Sequence, residues 1–458
     1  MTPSTASKRM KKVAAPALTA ALAPSVYAAR RARLMQHIGK DGIALIPTAP
    51  EVIRNRDSHY PYRPDSDFHY LTGFAEPEAI AVLIPGRADG EYVMFCRPRD
   101  LEKEIWNGRR AGPQGVIQQY GAQQAFDIAT LDAHLPELLK NRRRIFYGVG
   151  RRADFDARVH GWLNGLRAKA RAGVQAPSEF VDIEPLVHEQ RLFKDKHEVA
   201  TLRRAAQVSA QGHIEAMRVC RPGMMEYELE AAILHYFRRH NCVPSYNTIV
   251  GGGANACILH YNENNMPLND GDLVLIDAGA EAEFYAGDIT RTFPVNGRYS
   301  NAQREVYAVV LDAQLAAIAK VKPGNHWQDP HDEAVRVLTR GLVELGLLQG
   351  KPAQLIKDGA FRAFYMHRTG HWLGMDVHDV GEYKEGEEWR LLRPGMVLTV
   401  EPGLYIAARS KGVPKRFWDI GIRIEDDVLV TRDACDVLTI DVPKSIAEIE
   451  ALMAHGGH

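Results

Sequence analysis

Asp277 and Asp288 flank a short turn bearing glycine and alanine in the stretch LVLIDAGAEAEFYAGDITRTF, which runs from Leu273 to Phe293. The apolar run Leu273 to Ile276 reads as a buried strand, and the alternation Tyr285, Gly287, Ile289, Arg291 reads as a second one. A loop symmetric about Ala282 and Glu283 would set the two aspartates directly opposite each other on one face. Carboxylates opposed across a hairpin, about 5 Å apart, repel each other, so this pair asks for a counter-charge.

Two more acids stand in similar settings. Glu401 ends an apolar run just before Pro402, which keeps it extended. In DIGIRIEDD the isoleucines 420, 422 and 424 share one strand face, while Gly421, Arg423 and Glu425 share the other. Between these acids lies MHRTGHWLGMDVHDVG, with His367, His371 and His378. Its HxxxH spacing is not the metalloprotease HExxH, because Arg368 stands where the glutamate belongs. Singly, each residue has a plain structural reading: a strand-end Asp as turn former, a His as a hydrogen-bonded core or surface group, an Arg beside a Glu as a solvated pair. Together, four carboxylates on apolar strands would carry a charge near −4 into a low-dielectric site, at several kcal/mol for each unpaired ion. Two divalent cations cancel it. Oxygen-rich ligation with an imidazole suits Mn²⁺, with Co²⁺ or Zn²⁺ as alternatives, and two such ions bridged by carboxylates activate water for hydrolysis.

The rest of the chain must position these groups. Its 458 residues are 45% hydrophobic and 25% charged, an ordinary globular composition with room for two or three domains. With 57 basic and 57 acidic residues the formal net charge is zero, so nothing calls for nucleic acid. No run approaches the roughly 18 apolar residues of a membrane span. Cysteines 96, 220, 242, 257 and 435 are scattered, odd in number and without a CxxC pair, which implies reduced thiols and a cytoplasmic location. Residues 1–24 imitate a leader in SKRMKK and VAAPALTAALAPSVYA. The apolar part is mostly alanine and is interrupted by Pro16 and Pro24, so it reads as a disordered basic tail.

From Ile43 onward GIALIP, AIAVLIP and EYVMFC read as strands, and LDAHLPELLK and FDARVHGWLNGLRAKA as helices, giving an α/β domain over 25–190. A second domain, 191–458, carries an internal repeat: GDLVLIDAG (271–279) aligns without gaps on GMVLTVEPG (395–403), pairing Gly271 with Gly395, Asp277 with Glu401 and Gly279 with Gly403. Each copy is preceded by Pro-Gly and a helix. Two similar halves of helices followed by strands can close with their acid-bearing strand ends facing each other.

The motifs HY (260–261), DAG with the later Asp288, HRTGHWLG, VEPGLY and GIRIEDD resemble the pita-bread metallopeptidases, a family that includes methionine aminopeptidase, prolidase and aminopeptidase P. The resemblance covers about 190–450 and implies an α+β catalytic domain with a pseudo-two-fold repeat and a dinuclear site held by Asp277, Asp288, His371, Glu401 and Glu425. In the first half, RNRDSHYPYRPDSDFHYLTGFAEPEA (54–79) and RDLEKEIWNGRR (99–110) resemble the amino-terminal domain of aminopeptidase P. That implies release of the first residue from peptides with proline second. Two stretches depart from the bacterial pattern: the first 24 residues, and GEYKEGEEWR (381–390), where a pocket arginine is not cleanly placed.

The resemblance also implies roles. His378 would steady the oxyanion, Glu401 would move the proton from water to the proline nitrogen, and His260 and His367 would line the proline pocket. Arg423 and Tyr405 would orient the ligand carboxylates, while Trp106 and Arg171 would reach substrate from the first domain of a homodimer or homotetramer. Three alternatives stand beside this reading: an Xaa-Pro dipeptidase with the same metals, a metal-free creatinase-like hydrolase, and a non-catalytic binding protein on the same scaffold. The full ligand set argues against the last two.

Overall fold

A computed structural model describes residues 23–410 and 412–455 of the chain. The tail reading for residues 1–22 lies outside the described residues. The chain divides into two compact units. One comprises residues 23–193 with 380–382, and the other comprises 194–379 with 383–455, so the division falls between Phe193 and Lys194.

The first unit is built on a six-stranded mixed sheet, in the order Gln124–Asp127, Tyr92–Cys96, Ile80–Leu83, Gly42–Pro47, Arg144–Tyr147, Glu179–Asp182. The three segments read as strands in the sequence are the three central neighbours, paired antiparallel. The outer strands join in parallel. Near-continuous burial of the three antiparallel strands explains their uninterrupted apolar runs. Helices Leu131–Leu139 and Ala153–Arg167 cover the sheet with Leu131, Leu135, Leu139, Phe155, Val159 and Leu163.

The second unit repeats one plan twice. Helices Lys196–Val219 and Glu226–Arg239 precede a first hairpin, and helices Asn301–Ile318 and Gln328–Glu344 precede a second. Capping boxes start the first helix of each half, Asp195 with Glu198 and Ser300 with Gln303, satisfying backbone N–H groups that a helix start leaves open. In the first hairpin, Leu273–Asp277 pairs with Thr290–Pro294 and Ala280–Ala282 pairs with Tyr285–Ala286 in one continuous register. In the second, Val397–Val400 pairs with Asp426–Val430 and Gly403–Ile406 with Ile420–Arg423, again in one register. Each hairpin is thus a long ribbon interrupted at its acid. The interruption is close-packed: a Cβ on Gly279 would lie 1.7 Å from the Gly287 carbonyl, and one on Gly403 2.8 Å from that of Ile422.

The register corrects one expectation. The first hairpin turns about Glu283 and Phe284, both at positive φ (50° and 67°), as a two-residue turn with both central residues left-handed requires. Its centre lies one residue beyond the expected one, so Asp277 faces Thr290 rather than Asp288. The pleat has a period of two, so Asp288, two residues earlier, remains on the same face as a diagonal neighbour. The strand expected through Tyr285 and Arg291 is also broken, across residues 287–289.

Candidate metal centre

The four carboxylates and one imidazole come from three segments. Asp277 ends a strand and Asp288 occupies the break of the same hairpin. In the second hairpin the register that joins Val400 to Asp426 and Gly403 to Arg423 carries Glu401 opposite Glu425. The directly opposed acids therefore sit in the second ribbon. His371 is delivered by an extended segment lying along the Glu401 strand, held by Leu373 N–H to Val397 O (3.0 Å), Thr399 N–H to His371 O (3.0 Å) and Glu401 N–H to Thr369 O (2.8 Å). That segment repeats the position of Ile249–Gly252, which pairs with Leu273–Asp277 in the first half.

The two ribbons are stitched face to face. Thr290 donates its hydroxyl to Glu425 Oε2 at 2.6 Å and accepts from Arg423 Nε at 3.0 Å. Asp427 Oδ2 accepts the Asp288 backbone N–H (3.1 Å), and Glu425 N–H reaches Thr290 O (3.1 Å). On the opposite face of the same strand, Arg291 and Asp426 form an ion pair of 2.7 Å with both side chains fully buried. Alternation sends Thr290 and Thr292 toward the site and Arg291 away from it.

Ligand atoms of Asp288, His371 and Glu425 all lie within 4.8 Å of one another. His371 Nε2 is 3.4 Å from Asp288 Oδ2 and 3.8 Å from Glu401 Oε1. Its Nδ1 lies 2.9 Å from the Trp372 carbonyl, which can only accept, so Nδ1 carries the proton and Nε2 faces the acids. Tyr246 brings its hydroxyl within 2.5 Å of both Asp277 Oδ1 and Asp288 Oδ1. One hydroxyl proton cannot serve two carboxylates at once, so the two aspartates compete for it.

The charges are unbalanced. Arg423 donates to Asp277 Oδ2 (2.6 Å) and Tyr405 Oη (3.0 Å), and is a buried permanent cation among the acids. Burial, reinforced by neighbouring carboxylate charge, raises the pKa of Asp288 and pushes Glu425 well above the ordinary carboxylate range. Burial likewise raises Glu401 to about 7, against the opposing charges of His371 and Arg423. For His371, burial alone would lower the pKa, but the hydrogen bond to Asp288 and the charges of Asp288 and Glu401 outweigh it and hold the ring at about 9. Acids that retain protons and an imidazole that gains one mark a site short of positive charge. This oxygen-rich donor set with one imidazole fits hard or borderline divalent ions.

The acids line a cavity of about 980 Å³ that also takes in His260, His367, His378, Trp327, Trp389 and Arg368. Residues 200–432 match Metallopeptidase family M24, and residues 27–147 match the aminopeptidase P N-terminal domain. The chain belongs to metallopeptidase family M24. It is 49% identical to the Xaa-Pro aminopeptidase of Escherichia coli, over 93% of this chain and 96% of that protein. Against human Xaa-Pro aminopeptidase 3 the identity is 32%, over 95% and 87%. Among solved structures, the aminopeptidase PepP of Pseudomonas aeruginosa is 56% identical with a TM-score of 0.94, covering 95% of this chain and 99% of that one. A zinc-substituted E. coli aminopeptidase P in complex with product gives 0.93 at 47% identity, covering 96% and 100%.

In this M24 metallopeptidase the residues singled out from sequence fall into two groups. Asp277, Asp288, His371, Glu401, Glu425, His260, His367, His378 and Arg423 all line the one cavity. Tyr405 stands directly behind it, its hydroxyl 2.9 Å from His367 Nε2. Burial lowers His367 to about 3, aided by the Arg423 charge, so its ring is neutral. Burial and the His371 charge also lower His378, whose ring meets that of His371 edge to face at 4.3 Å. Trp106 and Arg171 belong to the other unit of the M24 chain and are exposed there. Within GEYKEGEEWR, Arg390 is buried and pairs with Glu385 at 2.9 Å, while Lys384 and Trp389 reach the cavity. Sequence reading missed Tyr246, Thr290 and Asp427. Tyr246 follows a turn with no periodic pattern, Thr290 reads as an ordinary strand residue, and only the doubled acid of IEDD hinted at Asp427.

Proposed function

We propose that Asp277, Asp288, His371, Glu401 and Glu425 hold two divalent cations, and that this chain releases the N-terminal residue from peptides with proline second. The observation that carries the metal reading is the excess of buried carboxylates over cations within one cavity. The peptidase reading follows from near full-length similarity to Xaa-Pro aminopeptidases, together with the aminopeptidase P N-terminal domain, which favours it over an Xaa-Pro dipeptidase. Manganese suits the donor set, with cobalt or zinc as substitutes.

When bound, such cations lower the pKa of water and polarise a peptide carbonyl. Glu401 takes the proton from attacking water and passes it to the proline nitrogen as the bond breaks. His378, neutral, donates to the developing oxyanion. His260, His367 and Tyr405 form an aromatic and imidazole wall for the proline ring. Arg423 fixes the rotamer of Asp277 through its fork to Thr290 and Tyr405.

Trp106 and Arg171 bind substrate in an assembly of more than one copy, a dimer or tetramer. The helix Leu101–Asn107 supports this reading: it buries no residue, and Leu101, Ile105 and Trp106 are 72%, 81% and 86% exposed. Among the described residues no helix is long and apolar enough to cross a membrane. Five free thiols favour a cytoplasmic location.

The test is Asp288→Asn, which keeps side-chain shape and removes one charge. Metal content should fall below two ions per chain and hydrolysis of Xaa-Pro-Yaa should nearly vanish, with the far-ultraviolet circular dichroism unchanged. Full activity with one ion or none would contradict the dinuclear reading.

A further inference from the structure

His260 lies on the segment 253–267, a short 3-10 turn at Gly253–Cys257 followed by a loop, whose outer side is exposed. His260 itself is exposed, and Ile258 and Met266 are 53% and 51% exposed. On that outer side there is little apolar burial with which to fix His260, and the buried apolar side chains of the segment, Ala256 and Tyr261, face inward. Its root is different. Glu226, the first residue of helix Glu226–Arg239, is 0% exposed and lies beneath the loop. Its Oε1 accepts from Gly252 N–H (2.8 Å) and Asn255 Nδ2 (2.9 Å), and its Oε2 from Tyr261 O–H (2.8 Å) and Met266 N–H (2.9 Å). Glu226 N–H in turn donates to Met266 O at 3.0 Å. One carboxylate thus ties both ends of the loop to one point.

We propose that Glu226 is a positioning residue for peptide hydrolysis: its four-fold bonded carboxylate sets the conformation of the 253–267 loop and so holds His260 against the catalytic cavity. The proposal rests on the reading of His260 as a substrate-pocket residue. A fully buried carboxylate is expensive unless its lone pairs are filled. Here three of the four donors come from the segment it organises and the fourth, Gly252 N–H, from the strand end that leads into it. Tyr261, adjacent to His260, links the clamp to the site a second time, because its ring packs in a small cluster with Ile249, Leu275 and Tyr405. Tyr405 in turn bonds His367 and Arg423. Asn264, 2% exposed, is a second tie, accepting from Val250 N–H (3.0 Å) and donating to Thr248 O (2.9 Å). It leaves the His260 end of the loop to Glu226 and Tyr261.

A double-mutant cycle on Xaa-Pro-Yaa hydrolysis decides the matter. Glu226→Gln turns one carboxylate oxygen into an NH₂ group facing N–H or O–H donors. The metal-loaded variant should keep its metal content and lose about 10-fold or more in kcat/KM, mostly as a rise in KM. If the clamp acts through His260, adding Glu226→Gln to His260→Ala should cost no more than about 3-fold beyond His260→Ala alone, because coupled residues are not additive. Should Glu226→Gln fail to fold, Tyr261→Phe removes a single bond, keeps the packed ring and enters the same cycle. Losses that multiply fully in either cycle, or kcat/KM within about twofold of wild type in both Glu226→Gln and Tyr261→Phe, would overturn the proposal alone. Full activity in His260→Ala would overturn the reading beneath it as well.

Discussion

Removing metal should make the stability of this protein fall as pH rises, and the direction follows from two groups. Glu401 has a folded pKa of about 7 against 4.5 when unperturbed, so the metal-free fold binds a proton between those values that the unfolded chain has released. Ionising Glu401 in place therefore weakens the fold progressively from pH 4.5 to 7. His371 is held at about 9 against 6.5, so its contribution is fully present below pH 6.5 and is lost as pH climbs through 9. Both act in the same sense. Each displacement of two to three pH units corresponds to about 3 kcal/mol. His371 and Glu401 face each other and share part of that energy, so we take about 3 kcal/mol for the pair between pH 5 and 9. For a unit of this size that is a fall in Tm of about 6–12 °C. Bound cations displace these protons, so the metal-loaded protein should lack the decline. The assay is thermal unfolding of chelated and metal-loaded protein at half-unit pH steps, with the gap in Tm widening as pH rises. A gap that stays constant from pH 6 to 8.5, or a chelated protein that gains stability over that range, would refute the reasoning.

Three substitutions test neighbouring contacts. Tyr246→Phe removes the hydroxyl shared by Asp277 and Asp288, so metal affinity should drop about 10-fold or more by equilibrium dialysis, with the fold intact. Arg423→Lys keeps the charge but cannot reach Asp277, Thr290 and Tyr405 together, so kcat/KM should fall about 10- to 100-fold while metal content holds. Trp106→Ala, on an exposed helix of the first unit, should raise KM for Xaa-Pro-Yaa and leave metal content unchanged, which kinetics and metal analysis together resolve.

Local pattern made much of this molecule legible. The runs GIALIP, AIAVLIP and EYVMFC announce strands because a sheet covered by helices buries its centre, leaving little room for polar alternation. The match of GDLVLIDAG to GMVLTVEPG found Asp277 and Glu401 because a repeated hairpin needs the same acid and the same close-packed glycine at its break. Register was harder. Phe284 at positive φ is a conformation few sequences advertise, and it moves the turn by one residue. The repeat does not extend to the facing strands: Glu425 stands across from Glu401, whereas the corresponding place across from Asp277 holds Thr290, so Asp288 and Glu425 are not equivalent. Tyr246 escaped notice because it reaches Asp277 and Asp288 from a turn with no periodic pattern, and Thr290 because its importance lies in a contact between the two halves. Such contacts join residues over a hundred positions apart and leave no periodic trace.

The central claim is that metal held by these five residues hydrolyses the bond before proline in peptides longer than two residues. Its most direct test is the rate of release of the first residue from an Xaa-Pro-Yaa tripeptide, measured beside the Xaa-Pro dipeptide, after chelation and again after manganese is restored. The account predicts no cleavage after chelation, recovery on adding back about two ions per chain, and a higher kcat/KM for the tripeptide. Undiminished cleavage by the chelated protein would contradict the metal reading, and a clear preference for the dipeptide would contradict the aminopeptidase reading.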